Sequence, residues 1–167
     1  MTVWRFEDDC LAPHPRLKID YVGKNPFKVY QVARNLLRKT LEVETIDLWE
    51  RDFRWDISSD PRMFFCRIYV DKGIDARSRA FIEVTIQGTQ PSDPNKEGRV
   101  TIYIGGRLRT VWEMNTAFQR SPIYKAFLWL YHKIFYEKVR RGYLRLCARW
   151  IEELKKGFMD VLNISQE

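Results

Sequence analysis

Polar and apolar residues alternate from Arg16 to Gly23 (RLKIDYVG), the period of a strand with one covered face. The period then changes. Asn25-Pro26 is a helix-start pair, since asparagine can cap and proline tolerates the first helical position. Behind it Val29, Tyr30, Ala33, Leu36, Leu37 and Leu41 recur at three- and four-residue spacing. Lys28, Gln31, Arg34, Arg38 and Lys39 fill the rest of the wheel, which predicts an amphipathic helix.

From Val43 the period returns to two. Ile46 and Leu48 share one face, whereas Phe53, Trp55 and Ile57 have the opposite parity. No regular strand buries both sets on one side, so a bulge or break is expected between Trp49 and Arg51. SSDP turns the chain into RMFFCRIYVD, and KGIDARSR turns it again into AFIEVTIQG. TQPSDPNKEG reads as a loop. In RVTIYIGGRLRTVWEM the pair Gly105-Gly106 suits a tight hairpin turn, or else one long strand with a glycine bulge.

Ser121-Pro122 opens a second helical region that runs to the end of the chain. Its apolar stripe reads Phe127, Tyr131, Phe135, Val139, Tyr143, Leu146, Trp150, Leu154, Phe158 and Val161. Unbroken, such a helix would be roughly 60 Å long, more than a small domain's diameter. Gly142 is the expected kink; the region is two helices or one that overhangs. At the other end, EDDCLAPHPR has the charge and proline content of an irregular arm, placed at residues 1–15.

The predicted order is strand, helix, antiparallel meander and long C-terminal helix, in a single domain over 1–167. It resembles the helix-grip superfamily, START and Bet v 1-like (SRPBCC, polyketide-cyclase-like), over residues 16–163. The resemblance implies an α+β fold. A curved antiparallel sheet of about six strands packs on the C-terminal helix, and in this chain one helix follows the first strand. It also implies an apolar cavity between sheet and helix. The chain departs from the family pattern by one strand, by a single helix after the first strand and by an oversized final helical region.

Composition narrows the function. Hydrophobic residues make up 45% of the 167 and charged residues 31%, as in a globular domain. Aromatics reach 14% and need a broad core, a cavity or an interface to cover them. Net charge is +7, which favours anionic partners. Cys10, Cys66 and Cys147 are odd in number and widely spaced, which argues against a disulfide framework and for a reducing compartment. MTVWRFEDDC lacks the apolar run of a secretion signal, and the expected location is cytoplasmic.

Catalytic constellations are missing. His14 sits between prolines, and His132 in the aromatic stretch reads as a structural imidazole. No spacing suits a metal, and no phosphate loop, dinucleotide fingerprint or nucleophile elbow occurs. No catalytic residue, metal or cofactor is assigned. Glu50, Asp52 and Asp56 share a strand face and read as solvated. Arg51 has the parity of Trp49, Phe53 and Trp55, so it is a cation in an aromatic wall, to be met by a carboxylate or an acidic ligand.

The leading expectation is a binding protein for an apolar or amphipathic small molecule. Arg51, Trp55, Phe64, Ile68, Val84, Ile102 and Trp112 would line the concave sheet, under a lid of Phe127, Tyr131 and Phe135. A second expectation is nucleic-acid binding through Arg141, Arg145 and Arg149, which are four apart on one helix face. An anionic membrane surface is a further candidate for that basic face. A third is a homodimer through Leu146, Trp150, Leu154 and Phe158, should the helix overhang.

Overall fold

The computed structural model describes residues 2–164. The fold is α+β. Six antiparallel strands form one open sheet, and three helices lie against one of its faces. In chain order they are β1 Thr2–Asp9, β2 Leu17–Gly23, α1 Lys28–Leu41, β3 Leu48–Asp56, β4 Arg62–Gly73, β5 Ser78–Gln90, β6 Gly98–Met114, α2 Pro122–Ile134 and α3 Glu137–Leu162. β6 pairs with β2 through residues 98–104 and with β1 through 107–114, so β1 and β2 lie end to end along one edge. β5, β4 and β3 follow on the other side.

Alternation sets the core. Ile68, Val84 and Ile104 lie opposite one another across β4, β5 and β6, as do Cys66, Ile86 and Ile102. All six are fully buried. Val29, Ala33, Leu37 and Leu41 of α1 cover them together with Cys147, Ile151, Leu154 and Phe158 of α3. The expected bulge in β3 is present: the register to β4 shifts between Glu50 and Asp52, leaving Arg51 as the extra residue.

Five expectations change. Residues 2–9, placed in an irregular arm, form β1, because the long β6 outruns β2 and offers a second stretch of ladder. Glu7 pairs with Arg109 at 2.9 Å and Asp9 with Arg107 at 3.9 Å across that ladder. Gly105 and Gly106 are not a hairpin; β6 runs through them and no glycine has positive φ. They are glycines because other groups come close. A Cβ on Gly106 would sit 2.9 Å from Ile151 and 3.0 Å from the Cys147 sulfur, and one on Gly105 3.1 Å from the Pro15 carbonyl.

The final helix breaks at Phe135-Tyr136 and not at Gly142, which lies inside α3. The Tyr136 hydroxyl is bonded to Ser78 at 2.5 Å and donates to Asp75 at 3.2 Å, which ties the break to the β4–β5 turn. Finally, Cys10 and Cys147 form a disulfide across 137 residues, leaving Cys66 free and buried. Sequence spacing does not show such a pair, because the β1–β6 ladder and the approach of α3 to Gly106 create it. The reducing compartment therefore loses its support. Asn25 adopts φ 50° in the turn before α1, whose N-cap is Phe27 with no side-chain bond, so Asn25 is not the cap.

Candidate functional site

The expected ligand wall divides among four places, with Trp112 in a small cluster of its own beside α2. Phe64, Ile68, Val84 and Ile102 do come together, but inside the main core. Ile68, Val84 and Ile102 have no exposed surface, so no space the size of a water molecule lies against them. Trp55 is half-buried at the β3 edge, 4.3 Å from the Phe27 ring and 6.0 Å from Phe64. Arg51 is displaced by the bulge onto the opposite, helix-free face and sits 5.8 Å over the Tyr69 ring. It shares no wall with Trp55.

The lid residues are the larger correction. Phe127 and Phe135 are 68% and 70% exposed, and Tyr131, 45% exposed, meets Trp112 edge-on at 5.8 Å without enclosing it. The side chains that α2 buries are one position later, Leu128 and His132, followed by Tyr136. They meet a small cluster separate from the main core, built on Trp112 and Met114 with Trp4, Phe6 and Tyr124 at its edge. His132 stacks on Phe6 at 3.9 Å and lies 5.4 Å from Tyr136, a structural imidazole as expected. Burial lowers its pKa, and the nearby Arg140 guanidinium lowers it further, so it is neutral.

What α2 leaves outside is the main surface feature of the molecule. Ile123, Phe127, Trp129, Leu130, Tyr131, Ile134 and Phe135 are all exposed, continued by Phe118 before the helix and Val139 after it. Large exposed apolar patches mark interaction surfaces. A helix apolar on nearly every side normally lies inside a protein, and this one does not. The sequence reading missed Ile123, Trp129, Leu130 and Ile134 because it drew one stripe through the break at Phe135-Tyr136. The available signal was the apolar character of residues 122–135 on all sides.

Charge accompanies the patch. Residues 114–136 contain Arg120, Lys125 and Lys133 and no acidic residue. Over α1, α2 and α3 together there are thirteen basic and four acidic residues, so the helical layer holds all of the molecule's positive excess. Arg141, Arg145 and Arg149 are exposed on one face of α3, with Arg141 bonded to Glu137 at 2.8 Å. Arg140 is different: it is held by Asp8 at 2.7 Å and Glu137 at 2.9 Å and joins α3 to β1.

The dimer stripe is largely internal. Leu154 and Phe158 are fully buried, and Leu146 and Trp150 half-buried, because α3 packs along α1 and the sheet. The Cys66 thiol is pushed up to about 12, first by burial and then by Glu50 and Asp52, and is no nucleophile. Among the described residues no group of three or more His, Cys, Asp or Glu is placed to hold a metal ion. No helix among them is long and apolar enough to cross a membrane. No family model matches the chain, and no curated protein matches it.

Proposed function

We propose that the protein docks on anionic membrane surfaces, with α2 as the inserting element. The observation that carries this is the inverted exposure of α2: Leu128 and His132 face inward, while its large apolar side chains face out. At 13 residues α2 is about 20 Å long, short of the ~30 Å needed to span a bilayer, so it lies in the interface plane. Trp129 and Tyr131 suit the headgroup boundary, where amphipathic rings concentrate. Arg120, Lys125 and Lys133 within the stretch, with Lys138 on the next turn, supply attraction of about 1 kcal/mol each near an anionic leaflet.

The charge of residues 114–136 argues against a second copy as the occupant, since a two-fold contact would bring Arg120, Lys125 and Lys133 of both copies together with no acidic residue in that stretch. The test is flotation with phosphatidylcholine vesicles, with and without phosphatidylserine. Binding is expected only with the anionic lipid. It should fall at least about tenfold in Phe127→Glu and Ile134→Glu, with the melting temperature unchanged because both sites are exposed. Lack of vesicle binding would overturn the proposal. So would a wild-type dimer that Ile134→Glu converts to a monomer, which would assign the patch to self-association. RNA binding lost on changing Arg141, Arg145 and Arg149 to Glu, without vesicle binding, would assign the basic face to nucleic acid.

A further inference from the structure

We propose that the helix-free face of the sheet holds a second, independent binding site, which takes a flat heteroaromatic ring bearing an anionic group, as in a nucleoside monophosphate. All three helices pack on the opposite face, and on this one the segment at Pro15 and Arg16 lies over Gly105 and Glu83, away from β3. A groove of about 530 Å³ crosses β3, β4, β5 and β6 there, in the size range of small-molecule sites. Phe65 and Met63 contribute its apolar part, and Arg54, Arg99, Gln87 and Thr89 its polar part.

Three features specify the ligand. First, the Phe65 ring has the Arg54 guanidinium at 5.8 Å and the Arg67 guanidinium at 5.4 Å. Ring and guanidinium planes together form a stacking platform for a flat heteroaromatic group. Arg54 is oriented for this by two bonds of 3.2 Å to the Asp52 carboxylate. Second, positive charge is left over. Arg99 is exposed and takes part in none of the ion pairs among the described residues. The Asp56 carboxylate, also in the groove, is already bonded to Ser58 at 2.9 and 2.6 Å.

Third, the surplus is local. Elsewhere on the same face Arg79 pairs with Asp71, Arg107 with Asp9, Arg109 with Glu7 and Lys18 with Asp20. A strand tracked across the whole sheet would run along these neutralised pairs. A compact anion at the groove meets Arg99, a groove cation outside any ion pair, with Asp20 and Asp56 as the nearby carboxylates. Gln87 and Thr89 then offer hydrogen bonds to the edge of the ring.

The experiment is calorimetric titration of the full chain with AMP, adenosine and inorganic phosphate. Saturable binding of AMP is expected, at least about tenfold tighter than either half alone, because ring and anion meet different groups. Arg99→Glu is exposed and fold-neutral; it should weaken AMP at least about tenfold and leave vesicle binding unchanged, which separates this site from the α2 surface. Phe65→Leu should weaken AMP and adenosine alike. A short single-stranded oligonucleotide displaced by AMP would support the site and make a strand end its source. Absence of saturable AMP binding at millimolar concentration, adenosine binding as tight as AMP, or indifference to Arg99→Glu would each overturn the proposal. An oligonucleotide that binds without competition from AMP would do the same.

Discussion

Two single residues show how burial reverses the chemistry their side chains suggest. Cys66 is a free thiol whose thiolate is suppressed by burial and by the Glu50 and Asp52 carboxylates. With its value pushed up to about 12, the native protein should resist iodoacetamide at about pH 8. Mass spectrometry should find Cys66 modified only after denaturation; labelling at the rate of a free peptide thiol would contradict the burial. His132 gives a pH dependence of definite sign. Burial and Arg140 lower its pKa, against weaker opposition from Asp8 and Glu137, so the unfolded chain takes up the proton more readily. Its contribution is complete above the ordinary value of 6.5 and is lost as pH falls below it. Urea midpoints should therefore drop between about pH 7.5 and about pH 5.5, and His132→Phe, which preserves the stack on Phe6, should flatten that drop. A wild-type midpoint constant over this interval would refute the assignment.

At the scale of elements, the break between α2 and α3 decides which apolar face the C-terminal region shows to the outside. Tyr136 holds it through Ser78 and Asp75, and Asp75 also accepts from Tyr143 at 2.9 Å. Tyr136→Phe leaves a buried Ser78 hydroxyl with only its 3.4 Å neighbour Thr110. The expected loss is about 1–2 kcal/mol in denaturant unfolding. The Cys10–Cys147 bridge acts on the same assembly from the other side, fastening the end of β1 to α3. Because it closes a long loop in the unfolded chain, reduction should remove about 2–4 kcal/mol. Melting with and without reductant measures it; equal melting temperatures would mean that the bridge does not constrain the unfolded state.

For the whole molecule, the division of charge between layers matters more than the total. The helical layer is strongly basic, whereas the helix-free sheet face carries cross-strand pairs such as Arg79–Asp71 and Arg109–Glu7. Vesicle binding should therefore weaken between about 0.1 and about 0.5 M salt while an apolar component persists, since screening acts on the cations and leaves Phe127 and Ile134 unaffected. Complete salt insensitivity would show that the basic layer takes no part.

Periodicity alone determined α1, the bulge at Arg51, the β4 and β5 rows and the α+β order, because each depends on neighbours within a few residues. It also contained the apolar excess of residues 122–135, though not its direction. Three matters were left to tertiary structure: which side of α2 faces the sheet, whether Gly105-Gly106 turns, and whether Cys10 meets Cys147. Each depends on a partner far along the chain. The Tyr136 anchor sets the phase of α2 one residue from the stripe that runs from Phe127 to Val161, the close approach of α3 leaves no room for a Cβ at Gly106, and the β1–β6 ladder brings Cys10 to α3. Local spacing has no access to such distances, so Phe127 and Phe135, which local reading turned toward the sheet, are exposed.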